Sequence, residues 1–150
     1  MDALLTASRA MVALAGRSLS GAGTEVTLPQ FRALVVLATR GPQRVVDIAA
    51  ELGVNPSTGT RMCERLVGKG LIERQRDDAD RRQVQVSLTA AGRQVVAEVT
   101  AQRRTELQRV VDALPDASFG QVASVLRQVT DLIGEPDEHQ WWLGWHDGEH

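Results

Sequence analysis

The chain has 150 residues, a net charge of −2, 43% apolar side chains and a single cysteine, which is enough for one domain with a real core. No apolar run approaches the ~20 residues that a bilayer span needs, and Asp2 stands where a secretion signal would carry basic residues, so a cytoplasmic protein without membrane contact is expected. The lone thiol, Cys63, excludes an intramolecular disulfide or a cysteine-built metal cluster within one chain.

From Ala3 to about Ser20 the chain reads as a helix. Leu4 and Leu5, Met11 and Val12, then Leu19 recur at seven, with Leu14 between them. That stripe suits a core or a partner helix, and pairing with a second copy is the preferred reading. Ser20-Gly21-Ala22-Gly23 breaks it. Thr27 and Gln30 then form a capping box for a second helix, whose buried face is Phe31, Leu34, Val35 and Ala38, and Gly41-Pro42 stops it. A short third helix places Val45, Ile48, Ala49 and Leu52 on one face. Gly53 ends it, because glycine enters a left-handed turn without steric cost. Asn55 caps the next helix and Pro56 fits its first position, where no backbone N–H is needed. Met62, Cys63, Leu66 and Val67 form its inward stripe, Ser57, Thr58, Arg61 and Arg65 recur on the opposite face, and Gly68 and Gly70 close it.

Strict alternation follows from Gln83 to Leu88, with Val84, Val86 and Leu88 on one face and Gln83, Gln85 and Ser87 on the other. This is a half-buried strand. Leu71 to Arg76 is its expected antiparallel partner, Asp77-Asp78-Ala79-Asp80 makes the turn, and Arg74, Arg76, Arg81 and Arg82 cluster around it. Each piece alone reads as a solvated helix or an ordinary hairpin. In this order they make a winged helix-turn-helix, so the fold expected is mostly α with a small β-wing. Hydroxyls and arginines turned outward from a helix can meet base edges and phosphates together, and an arginine on a protruding loop suits a narrow minor groove. Asp80 would repel phosphate, so its expected work is to hold a neighbouring arginine in one pose. Arg44, just ahead of the helix pair, joins the expected DNA contacts.

Thr89 caps a long helix that can run to Leu114, before Pro115. Its apolar positions (Val95, Val96, Val99, Leu107, Val110, Val111, Leu114) are interrupted by Gln102, Arg103 and Arg104, as fits a helix that leaves the DNA-binding lobe, crosses solvent or a cavity, and joins a dimer interface. Asp116 is expected to cap a last helix bearing Phe119, Val122, Val125, Leu126, Val129, Leu132 and Ile133. That face is too apolar for a lone surface helix, so burial against the N-terminal helix and a second subunit is expected. Gly134-Glu135-Pro136 opens an acidic tail holding all three tryptophans and all three histidines. A disordered extension and docking of Trp141, Trp142 and Trp145 on the dimer surface both remain open. His139 and His146 follow no recognised ligand spacing, so no metal is expected.

Basic residues outnumber acidic ones between Arg61 and Arg93, whereas from Asp112 onward Arg127 stands alone among acids. Of the 17 cationic side chains only Lys69 is lysine, so nearly every contact can be bidentate. No phosphate-binding glycine loop, nucleophile motif or histidine outside the tail supports an enzyme, and no cofactor is expected. Cys63, on an inward face, reads as a packing residue rather than a redox sensor.

The run NPSTGTRMCERLVGKGLIER, the acidic turn, Asp80-Arg81-Arg82 and then VSLTAAG resembles the multiple-antibiotic-resistance regulator (MarR) family. Asp80-x-Arg82 followed by Leu88-Thr89 and Gly92 is similar to its wing motif, and Leu28-Pro29-Gln30-Phe31 to the start of its second helix. The resemblance implies a homodimer that binds pseudo-palindromic double-stranded DNA, usually represses transcription, and releases DNA on binding a small, often aromatic or phenolic, ligand. By position it makes Arg82 the minor-groove arginine, Asp80 its orienting partner, and Ser57, Thr58, Thr60 and Arg61 the residues facing the major groove. Two recognition helices would enter successive major grooves about 10 bp apart. It further implies residues 27–92 as the winged unit, 1–26 and 93–134 as dimerisation helices, 135–150 as a tail, and a pocket between the helix from Leu28, the helix from Thr89 and the dimer lobe. No residue there declares a chemistry: Arg17, Arg32 and Arg103 are candidates to pair with an acidic ligand, but the preferred reading of each is a surface or interlobe charge. The organic-hydroperoxide sensors of the family carry their cysteine near the N-terminus, where this chain has none.

Gly59 departs from the family, which usually has a larger apolar residue there. A helix-interior glycine costs about 1 kcal/mol against alanine, so the recognition helix is either looser or packed closer to its neighbour. Gly59 and the acidic net charge support an alternative, a dimeric interaction or ligand-binding module without specific DNA binding. Arg82→Ala separates the two.

Overall fold

The computed structural model describes residues 1–76 and 84–136, the side chains of residues 76 and 116–118 excepted. Expectations for Asp80, Arg81, Arg82 and Gln83, and for the tail with its tryptophans and histidines, lie outside the described residues. The order is α1 (Asp2–Gly21), α2 (Leu28–Arg40), α3 (Val45–Glu51), α4 (Pro56–Gly68), β1 (Ile72–Arg76), β2 (Val84–Leu88), α5 (Ala90–Asp112) and α6 (Asp116–Ile133).

α2 is the hub. Its capping box forms as expected: Gln30 N–H donates to Thr27 Oγ1, and Thr27 N–H donates to Gln30 Oε1 at 3.1 Å. The predicted face of Phe31, Leu34, Val35 and Ala38 is buried, and so are Ala33, Val36 and Leu37 on the other side. A helix buried on most of its circumference must be covered on most sides, and α1, α3, α5 and β2 each pack on it.

α3 and α4 form the tight pair. Gly53 takes φ +65° to turn between them. Asn55 Oδ1 accepts from Thr58 N–H at 2.8 Å, and Pro56 occupies the first helical turn. Cys63 and Leu66 are fully buried, with Met62 and Val67 packed against the same core. Gly59 resolves in favour of close packing, because a Cβ built on it would lie 2.6 Å from Ala49 Cβ. One of the two supports for the DNA-free alternative therefore has a packing explanation. Gly59→Ala should destabilise the fold by about 1–2 kcal/mol, since overpacking at so short an approach (about 2–3) outweighs the gain in helix propensity (about 1). Ala49→Gly in that background should restore much of the loss in urea unfolding. A Gly59→Ala chain as stable as the parent would mean that the helices separate at no cost.

β1 and β2 pair antiparallel, from Ile72 opposite Leu88 to Arg76 opposite Val84. Gln43 adds a rung on the outer edge of β2, donating its N–H to Val86 O at 3.1 Å and accepting from Val86 N–H at 2.8 Å. The predicted alternation holds for Val86 and Leu88 but fails at two positions. Val84, expected inward, is 54% exposed, and Ser87, expected outward, is buried. The base of the ribbon is wedged among α2, α4, α5 and Gln43 and is covered on both faces, while the outer end projects past the core.

Thr89 ties the ribbon to α5. Its hydroxyl accepts from Gly92 N–H at 3.0 Å and donates to Gly70 O at 2.6 Å. α1 packs along α5, whereas α6 has no more than marginal contact with any other element. Two expectations change here. α6 begins at Asp116 with Pro115 as its N-cap, so Asp116 is the first helical residue rather than the cap. The apolar face of α6 is not covered by α1 of the same chain, since α6 makes no more than marginal contact with any element. Phe119, Val122, Val125, Leu126, Leu132 and Ile133 stay exposed, as do Leu4, Leu5, Met11 and Val12 on α1.

Candidate nucleic-acid interface

The capped N-terminus of α4 sets the geometry of its outer face. Asn55 Oδ1 accepts from both Thr58 N–H and Ser57 Oγ, each at 2.8 Å. Its carbonyl is thereby committed to the cap, and its amide remains to donate. Thr60 Oγ1 donates back to Pro56 O at 2.9 Å, which leaves its lone pairs to accept. Ser57, Thr60, Arg61 and Arg65 are exposed, whereas Thr58 lies on the flank and is half-buried. An outward face of hydroxyls and guanidinium groups offers both donors and acceptors to a base edge.

The spacing that puts Ser57 and Arg61 on one line continues to Glu64, which is exposed on the same face. Sequence reasoning passed over this residue although its position at i+3 from Arg61 was legible. Glu64 Oε1 lies 4.0 Å from Arg74 Nη2 on β1, both more than half exposed, so the pair loosely joins the helix to the ribbon without contributing much stability. Arg44, the N-cap of α3, chelates Asp47 through Nε at 2.7 Å and Nη2 at 2.9 Å. That hydrogen-bonded pair raises the Arg44 pKa and holds the Asp47 carboxyl below the usual range. Arg44 would therefore have to share its charge between Asp47 and a phosphate. Arg76 lies on β1 with its side chain undescribed, and Arg81, Arg82 and Asp80 lie beyond the described end of the ribbon.

Behind the interface is a cavity of about 790 Å³. It opens where the sequence resemblance placed a pocket, between α2 and α5, with walls from Phe31, Val35, Leu107 and Val111. Leu52, Val54 and Met62 close it on the α3–α4 side, so the recognition helix contributes a side chain to the wall. The polar interruption read in α5 is the stretch that faces this cavity, through Arg103 and Arg104. Arg103 sits 5.6 Å from the centroid of the Phe31 ring, within cation–π range. Arg32 holds Glu135 in a two-pronged pair, Nη1 to Oε1 at 2.7 Å and Nη2 to Oε2, and that hydrogen bonding raises its pKa against the opposing effect of burial. Arg17 instead pairs with Glu106 at 3.4 Å, outside the cavity lining. Cys63 is buried, which pushes its thiol pKa up, the opposite of what a reactive thiolate needs.

The MarR family profile matches residues 26–84. The transcriptional repressor MdtR of Bacillus subtilis is 34% identical over 115 residues, spanning 77% of this chain and 74% of that protein. The chain belongs to the MarR family. A further relative, the transcriptional repressor MprA of Escherichia coli K12, is 25% identical over 81% of this chain and 69% of its own length. Among solved structures, RV1404 of Mycobacterium tuberculosis superposes with a TM-score of 0.85 at 43% identity, covering 91% of this chain and 93% of that one. A MarR family protein of Bacillus stearothermophilus gives 0.78 at 26% identity, over 89% and 92%. The family and the names of these relatives are those of transcription regulators rather than enzymes. The MarR winged helix thus accounts for the described elements.

Proposed function

We propose that this MarR-family chain is a homodimeric, sequence-specific repressor of a pseudo-palindromic operator, released by a small aromatic or amphipathic ligand. The observation that carries the DNA-binding reading is the exposed face of α4, where Ser57, Thr60, Arg61 and Arg65 stand clear of the protein beside the ribbon. In this reading α4 enters the major groove, Arg44, Asn55, Thr58, Arg65 and Arg74 add base-edge or phosphate contacts, and Arg76, Arg81 and Arg82 follow the flanking minor groove with Asp80 orienting Arg82. The uncovered apolar faces of α1 and α6 support a second copy as partner. No described helix is long and apolar enough to cross a membrane, and a repressor of this kind works in the cytoplasm, where its operator is.

The cavity supports ligand gating, because Met62 of α4 and Arg103 of α5 both line it. A ligand there touches both the reading helix and the helix leading toward the partner. It weakens DNA binding only by preferring the arrangement that misfits the operator.

Selection of bound duplexes from a random pool, at near-physiological salt, tests the reading with the parent chain and Arg82→Ala in parallel. The parent should enrich an inverted repeat, and the variant should bind it at least about tenfold more weakly, one strong groove contact being worth about 1–3 kcal/mol per half-site. A folded dimer that enriches no site would instead favour the interaction module.

A further inference from the structure

Glu64 is the only acid in α4, and it stands in the middle of the helix's outward face. At about 100° per residue, Ser57, Arg61 and Glu64 fall within about 60° of arc, with Thr60 and Arg65 on either side. All three central residues are exposed, and Leu66, nearly opposite them, is fully buried. From Ser57 to Glu64 the helix rises about 10 Å, roughly the height of three stacked base pairs. A carboxylate on a surface that meets a polyanion repels it wherever phosphates come near. Arg74 does little to neutralise it, because its guanidinium lies 4.0 Å away on β1 and both side chains are more than half exposed.

We propose that Glu64 is a specificity-determining residue that reads the N4 amino group of one cytosine in each half-site, while Arg74 leaves it for a phosphate. This deepens the DNA-binding reading above and rests on it. An ionised carboxylate only accepts hydrogen bonds, so it gains in the major groove only where a base presents an amino group, as cytosine does at N4 and adenine at N6. On adenine that group adjoins the N7 acceptor, which the second carboxylate oxygen would oppose. Cytosine carries no acceptor of its own in that groove. Glu64 therefore weakens every encounter made through phosphates alone and is compensated where the cytosine stands. It widens the ratio of specific to non-specific affinity rather than raising affinity itself.

Selection from a random duplex pool, with the parent, Glu64→Ala, Glu64→Gln and Arg74→Gln chains in parallel, tests this. Both side chains stand outside the core, so folding is not at stake. The parent should enrich an inverted repeat with a fixed C·G pair at one position of each half-site. Glu64→Ala should lose that preference alone, the advantage of cytosine falling from about tenfold to about twofold or less. Glu64→Gln should move the preference toward adenine, whose N6 and N7 an amide meets together. It should also bind an unrelated duplex about three- to tenfold more tightly, one repelling charge per subunit being gone. Arg74→Gln should weaken binding to all sequences alike, reduce the salt slope by about one per subunit, and keep the cytosine. Unchanged base preferences in Glu64→Ala would overturn the proposal. So would loss of the same preference in Arg74→Gln, which would make Glu64 a support for Arg74 and nothing more. In either case an enriched repeat keeps the repressor reading, whereas no enriched site for the parent rejects that reading and the proposal with it.

Discussion

Gly92→Ala is expected to destabilise the subunit by about 3 kcal/mol or more, a fall of roughly 10 °C in Tm for a chain of this size. A Cβ at this position would lie 2.0 Å from Leu71 O, 3.0 Å from Leu71 C and 3.1 Å from Leu88 Cδ2. None of the backbone atoms can swing aside as a long side chain does. Leu71 O is also the acceptor for Thr89 N–H at 3.1 Å, and Thr89 Oγ1 caps Gly92 N–H itself. Pushing the helix away therefore breaks the joint at which the ribbon meets α5, losing hydrogen bonds worth about 1 kcal/mol each in addition to the steric cost. The helix-propensity gain of alanine, about 1 kcal/mol, is too small to offset this. Thermal unfolding at one fixed protein concentration is the measurement, because the Tm of the proposed dimer would depend on concentration. A Tm within about 2 °C of the parent would show that the wing is not clamped there.

On the proposed homodimer, Val125→Asp should convert dimer to monomer at micromolar concentration and reduce specific DNA affinity by about two to four orders of magnitude. Val125 is 59% exposed in the single subunit and Leu126, beside it, 49%. The substitution removes nothing from the subunit's own core, so its effect isolates association. In a two-fold interface it places a carboxylate in an apolar contact twice over, where an unpaired charge is costly to bury. Loss of the dimer also removes the effective concentration that brings the second recognition helix to its half-site, a factor of about 10²–10⁴. Sedimentation velocity reads the first effect and fluorescence anisotropy on a selected duplex reads the second. A variant that remains dimeric and binds DNA as tightly as the parent would remove α6 from the interface.

These expectations draw on different levels of organisation. The Thr27–Gln30 box, the Asn55 cap with Pro56, the Gly53 turn and the Thr89 cap were legible in the sequence because each satisfies backbone groups within a few residues, so local chemistry alone sets it. The order of these signals, with Asp80-x-Arg82 and Gly92 after them, was sufficient for the family and for which side of α4 faces outward. Other features depend on what packs against what. Burial of α2 beyond its predicted face, exposure of Val84 with burial of Ser87, and the Gln43 rung on β2 follow from neighbours that no period of 3.6 or 2 can report. Gly59 left two readings open until the distance to Ala49 decided between them. Glu135 looked like part of an acidic tail, yet its carboxylate meets Arg32, 103 positions away in the chain. Short-range hydrogen bonding can be read along the chain because its partners are adjacent in sequence. Close approach, the cavity and the Arg32–Glu135 pair arise only when distant segments are brought together, and only the tertiary structure decided them.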